Sequence, residues 1–121
     1  MLFLTRVYKH KNNKLNIILD TDTYNECDDQ FALTYLLKNQ DLFNIEAITV
    51  APYSHQSRNV SVREGQELSY NEILKICKWL NLNISNKVFK GSMDYIQNGY
   101  NETNDAVNKI IEIALKNDKT Y

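Results

Sequence analysis

The side chains best suited to chemistry crowd into one stretch, Asp20-Thr21-Asp22-Thr23-Tyr24-Asn25-Glu26-Cys27-Asp28-Asp29, where four aspartates and one glutamate fall within ten residues. Carboxylates held this close repel one another. They stay ionised only where a cation or a hydrogen-bond network offsets the repulsion. A donor set made only of oxygen selects a hard cation, Ca²⁺ or Mg²⁺, over zinc. Neither histidine, His10 or His55, is placed to help, and Cys27 and Cys77 are too far apart in sequence for a metal-type spacing. An acidic loop can also do no more than cap a helix, since a carboxylate at a helix start meets unpaired backbone N–H groups and the positive end of the dipole. Two adjacent aspartates at the helix start, with two more just before them, exceed what capping requires. A metal or polar-ligand site is therefore expected.

The elements around this stretch must bring the carboxylates to one place. Leu15 to Leu19 is a nearly continuous apolar run, the pattern of a strand covered on both faces. Residues 20–27 form the acidic loop. From Asp28 to Asn39, Phe31, Ala32, Tyr35 and Leu36 recur at helical spacing and Leu33 and Leu37 widen the stripe, which predicts a well-buried helix with Asp28 and Asp29 in its first turn. Ile45 to Ala51 is a second strand, ended by Pro52. Residues 53–68 are polar and carry His55, Arg58, Arg63, Glu64 and Glu67, and so predict a long, functional loop. Ser69-Tyr70-Asn71-Glu72 has the form of a capping box, followed by Ile73, Ile76, Cys77 and Leu80 on one helical face with Leu74 and Trp79 flanking. Lys87 to Gly91 is a short third strand and residues 92–104 a polar loop. Ala106, Val107, Ile110, Ile111 and Ala114 then mark a third amphipathic helix.

This alternation predicts an α/β fold, a partly parallel Rossmann-like sheet with right-handed crossovers and helices on both faces, with residues 1–121 as a single unit. In such sheets ligands bind outside the carboxyl ends of the strands, which is where all four aspartates are expected to converge. Three strands make a thin sheet. A third helix with no strand after it leaves a sheet edge open, so the natural unit is expected to continue or to pair.

Composition narrows the function classes. Hydrophobic residues make up 43% of the chain, with only three Gly and one Pro, which fits a packed core and excludes a linker. Fourteen basic and fifteen acidic residues nearly cancel, so no electrostatic footprint for nucleic acid or an anionic membrane is present. The apolar start at Met1–Leu4 is too short for a signal peptide, and no stretch reaches membrane length. Unpaired thiols suit a reducing cytoplasm, although one disulfide between Cys27 and Cys77 is also compatible with the count. Sequons at Asn59, Asn83 and Asn101 are expected by chance in a chain rich in Asn.

Ile18-Leu19-Asp20-Thr21-Asp22, followed by Asp28-Asp29-Gln30-Phe31-Ala32-Leu33, resembles the N-terminal signature of the nucleoside hydrolases, which split the N-glycosidic bond of ribonucleosides. That family's pattern is a hydrophobic strand, Asp-x-Asp, a short loop, Asp-Asp and a hydrophobic helix. Ile48-Thr49-Val50 and Val88-Phe89-Lys90-Gly91 look like its second and third strands. The resemblance spans residues 15–117, with its specific part in 18–33. It implies an incomplete nucleoside-hydrolase fold, Ca²⁺ as cofactor, a ribonucleoside as substrate and a place in purine or pyrimidine salvage. It also implies roles. Asp22 is a calcium ligand and the general base for the attacking water. Asp29 is a second calcium ligand, Asp28 hydrogen-bonds the ribose hydroxyls, and Asp20 supports the loop or lies near the metal. The family's common loop is Pro-Gly-x, whereas this chain has Thr23-Tyr24-Asn25-Glu26-Cys27. That is nearer to a subset carrying Asn-Glu there, and Asn25 is assigned to substrate on that basis. Ala51-Pro52-Tyr53-Ser54-His55 stands where the family has Gly-Asn, so no role is carried over to it.

In the family a further calcium-binding Asp, a carbonyl ligand and the leaving-group acid lie in the second half. The resemblance therefore implies a truncated or split enzyme, acting as a homo-oligomer or with a missing C-terminal part, and inactive alone. Two alternatives stand beside it. A haloacid-dehalogenase-type phosphatase shares strand-Asp-x-Asp, but position 24 is Tyr where it wants Thr or Val, no Gly follows Asp22, and no Gly-rich phosphate loop is present. A non-catalytic binding subunit that folds by pairing is the other. Tyr24 is placed to stack on a base or ribose. His55 and Arg58 could contact a ligand, although exposed polar loop residues are more often inert. Trp79 is expected at the core edge or an interface.

Overall fold

The computed structural model of the protein describes residues 14–116 and 119–121. The apolar start and the polar, basic residues 5–13 that follow it, which the sequence predicts to be a surface lead-in, lie outside the described residues. The elements are β1 (Leu15–Thr21), α1 (Cys27–Lys38), β2 (Phe43–Val50), α2 (Val62–Trp79), β3 (Val88–Lys90) and α3 (Asp105–Ala114). The three strands form one parallel sheet in the order β1-β2-β3. The fold is α/β and Rossmann-like, as the alternation of elements predicts.

The strand covered on both faces is β2, not β1. Ile45, Ala47, Ile48, Thr49 and Val50 are all buried, because β2 is central and helices cover it. Residues 15–19 of β1 are half-buried. The register slips between Ile17 and Ile18, which pair with Ile45 and Ala47 and leave Glu46 as a bulge. The extra residue restores the inward face, so Ile45, Ile48 and Val50 join Leu33 and Leu37 of α1, Ile73, Ile76 and Cys77 of α2, and Val88 in one core.

The outer edge of β1 is not open. Tyr121 N–H donates to the Asn16 carbonyl at 2.9 Å, and Ile18 N–H donates to the Tyr121 carbonyl at 2.7 Å. The bridge between Asn16 and Thr120 is parallel. The chain thus builds outward from β1 through β2 to β3, then returns past α3 to the far side of β1. Right-handed crossovers put α1 and α2 on one face and α3 on the other. Consistently, α3 buries Ala106 and Ile113 outside the α1–α2 core.

Three expectations need correction. First, α1 turns Leu33 and Leu37 inward while Phe31 is 73% exposed and Tyr35 is also exposed, so the buried stripe is narrower and rotated from the one read in sequence. Second, α2 begins at Val62. Its capping box is Ser61–Glu64, with Glu64 N–H donating to Ser61 Oγ at 3.3 Å and Ser61 N–H donating to Glu64 Oε2 at 3.0 Å. Ser69 and Glu72 sit inside the helix, and the supposed loop over 53–68 is largely helix. Third, Val107, Ile110 and Ile111 on α3 and Leu115 just after it are exposed, so its apolar stripe is mostly uncovered among the described residues. Trp79 is exposed too, with the Lys75 ammonium 4.7 Å from the ring centroid. No helix among the described residues is long and apolar enough to cross a membrane.

Candidate functional site

The direction of chain growth across the sheet reverses at β1, and the acidic loop leaves its carboxyl end. This is the topological switch point at which open α/β sheets bind ligands. Asp29, in the first turn of α1, points back to the strand it follows. Its Oδ2 accepts from Thr21 Oγ1 at 2.9 Å and from Asp22 N–H at 3.1 Å. The Thr21 hydroxyl has one proton and gives it to Asp29. The 2.7 Å contact between the Thr21 and Thr23 hydroxyls therefore runs from Thr23, whose N–H also donates to Thr21 Oγ1 at 3.2 Å. Thr21 and Thr23 are both buried, so this network seals the floor of the loop.

Asp22 and Asp29 form a carboxylate pair. Burial pushes the Asp22 carboxyl above its ordinary value, the neighbouring Asp29 carboxyl pushes the same way, and a hydrogen bond from Asn25 opposes them. That bond runs from Asn25 Nδ2 to Asp22 Oδ2 at 2.9 Å. No salt bridge reaches either carboxylate among the described residues.

The other two aspartates do not join the pair. Asp20 is exposed and accepts from Thr49 Oγ1 at 2.6 Å. Asp28 is exposed, because successive helical residues point about 100° apart and Asp29 takes the inward direction. Among the described residues no group of three His, Cys, Asp or Glu side chains lies close enough to hold a metal. The expected convergence of four aspartates is thus corrected to a convergence of two. The fit to calcium is good in donor type, since both groups are carboxylates without a cationic partner. It is short in number, since calcium takes about six to eight oxygens.

Comparison with family models, curated proteins and solved structures returned no match.

Two further residues, Tyr53 and Arg58, complete the surroundings of the pair. Tyr53 follows Pro52 at the carboxyl end of β2, is 3% exposed, and its hydroxyl has no partner among the described residues. Burial raises the phenol's pKa, Arg58 lowers it, and Tyr24 and Asp22 raise it further. Its place is fixed from below by α2: a Cβ on Gly65 would fall 2.0 Å from the Tyr53 carbonyl oxygen, so only glycine allows the helix this close. Arg58 reaches over from the connection between β2 and α2. Its guanidinium donates to the Asn25 carbonyl at 2.7 Å and to Asn25 Oδ1 at 3.2 Å. Asn25, assigned to substrate in the sequence, stands between Arg58 and Asp22. Tyr24 is 41% exposed at the rim, with φ +95°, a left-handed value that a tyrosine holds only under constraint. His55 is turned elsewhere, with Nδ1 3.1 Å from the Ser57 hydroxyl. Both thiols are free: Cys27 is exposed, and Cys77 is buried with its pKa raised by that burial.

Proposed function

We propose that this chain carries the acidic, ribose-facing part of a calcium-dependent site for hydrolysis of the N-glycosidic bond of ribonucleosides, in the cytoplasm. The observation that carries it is the Asp22–Asp29 pair, two carboxylates brought together at the switch point with no cationic side chain against them. Asp22 and Asp29 would hold the calcium ion. When bound, calcium would supply positive charge near the ribose and lower the pKa of water beside it. Asp22 would accept the proton of the attacking water as general base. The negative field of the loop stabilises the positive charge that develops on ribose as the bond to the base breaks. Asp28, exposed at the rim of the loop, hydrogen-bonds ribose, and Tyr24 offers an aromatic face for stacking.

A second reading is favoured by two observations. Two carboxylates converge rather than four, and the apolar stripe of α3 is uncovered among the described residues. Both suit a chain that acts by pairing with another polypeptide surface, either to complete the site or as a non-catalytic binding subunit. Calcium titration by calorimetry, with a ribose-release assay on inosine and uridine, tests the proposal. The expected result is weak calcium binding, strengthened by ribose, lost in Asp22→Ala and in Asp29→Ala, with little turnover by this chain alone. No calcium binding by the unmodified chain, or undiminished binding in both variants, overturns it.

A further inference from the structure

Arg58 is exposed, and exposed polar residues of a connection are more often inert than functional. Its contacts set it apart. The guanidinium bridges 33 residues of sequence to grip Asn25 by two oxygens, the backbone carbonyl and Oδ1. A guanidinium only donates. Held by Arg58, the Asn25 side-chain amide therefore has one permitted orientation, with Oδ1 toward Arg58 and Nδ2 toward Asp22. That is the orientation found, with Nδ2 donating to Asp22 Oδ2 at 2.9 Å.

The platform that presents Arg58 is itself fixed. His55 and Val60 exchange both backbone hydrogen bonds at 3.0 Å, closing a tight turn over residues 55–60. Asn59 completes the turn at φ +53°, a left-handed conformation that asparagine tolerates. Ser61 then caps α2 directly, so Arg58 stands between a closed bridge and a capped helix. On the receiving side, Asn25 N–H donates to the Asp22 carbonyl at 3.0 Å around Tyr24. The strained φ of Tyr24 persists because Asn25 is tied down on both sides.

We propose that Arg58 is a positioning residue for the acidic site: acting through Asn25, it fixes the side-chain orientation of Asp22 against Asp29. The calcium arm of its test rests on the function proposed above, whereas the spectroscopic arm does not.

The test uses the 121-residue chain with Arg58→Ala, Arg58→Lys, Asn25→Ala and the double variant Arg58→Ala/Asn25→Ala. Because Arg58 is exposed, its truncation leaves the core intact, which a thermal melt verifies. In metal-free protein, the two Nδ2 proton resonances of Asn25 are followed by nuclear magnetic resonance. They are expected well separated and slow to exchange in the unmodified chain, collapsed toward free-amide positions in Arg58→Ala, and largely restored in Arg58→Lys, which is also donor-only. Calcium titration is then expected to weaken by about tenfold in Arg58→Ala, as for loss of other outer-shell partners of metal ligands. It is expected to weaken no further when Arg58→Ala is added to Asn25→Ala, because the two act in series. Unchanged Asn25 resonances in Arg58→Ala overturn the proposal whether or not calcium binds. Shifted resonances with unchanged calcium affinity, or additive losses in the double variant, overturn the claim that Arg58 acts on Asp22 through Asn25. If the unmodified chain binds no calcium, the proposed function fails, and the resonances still decide whether Arg58 orients Asn25.

Discussion

Asp29, two residues into α1, accepts the proton of Thr21, the last residue of β1, at 2.9 Å. The bond ties the end of the strand to the start of the helix across the whole acidic loop. It also fixes which way a carboxylate at a helix N-terminus points, which is not toward its own helix. Thr21→Val keeps the shape and removes the hydroxyl, leaving the Thr23 hydroxyl and N–H without their acceptor in a buried place. The expected cost is about 1–3 kcal/mol, read as a lower urea midpoint with an unchanged slope. A change within error would mean that Thr21 and Asp29 do not share this bond in solution.

Asp22 gives a prediction with a definite sign in pH. Its folded-state pKa is raised, by burial first and by Asp29 second. A raised carboxyl contributes stability that is fully present below the unfolded pKa and lost as pH rises through the folded one. At neutral pH the metal-free chain therefore carries a penalty that Asp22→Asn removes. The variant is expected to melt about 1–3 °C higher than the unmodified chain at about pH 7. The difference should vanish below about pH 4, where Asp22 is protonated in both states. Under the proposed function, calcium raises the melting temperature of the unmodified chain and not of Asp22→Asn. A lower melting temperature for the variant at neutral pH would show that the pair is not repulsive.

The two Ser-x-x-Glu sequences of α2 separate what local pattern can reveal from what it cannot. Ser61 caps the helix with Glu64, whereas Ser69 is buried mid-helix with an unpartnered hydroxyl. Ser61→Ala is expected to cost about 1 kcal/mol. Ser69→Ala should be neutral or stabilising by up to about 1 kcal/mol, since it removes an unpaired buried group. The reverse ranking in chemical denaturation would restore the later helix start.

The earlier start is illegible in the sequence because the buried positions of α2 before Ile73 are Gly65, Gln66, Ser69 and Glu72, none of them with an apolar side chain. Two of them make polar contacts instead: Gln66 Nε2 donates to the Gly91 carbonyl at 2.8 Å, and Glu72 accepts from Gln30 of α1 at 2.9 Å. Hydrophobic periodicity is silent where a helix packs by polar contacts. The strand–helix alternation and the Asp22 and Asp29 positions are legible, because each depends on a few consecutive residues. The exclusion of Asp20 and Asp28 depends on side-chain direction. The role of Arg58 depends on a contact between two loops far apart in sequence, which leaves no local pattern.

Tyr53 carries a buried hydroxyl with no partner among the described residues, and its pKa is raised by burial first. A buried donor without a partner costs about 1–3 kcal/mol, and deleting it without changing the ring's shape recovers part of that cost. Tyr53→Phe is therefore expected to stabilise the metal-free chain by about 1 kcal/mol in urea denaturation. The carbonyl that Gly65 packs against is untouched by the change, so the entry to α2 stays in place. Destabilisation by a similar amount would reverse the conclusion, showing that the hydroxyl finds a hydrogen-bond partner in solution.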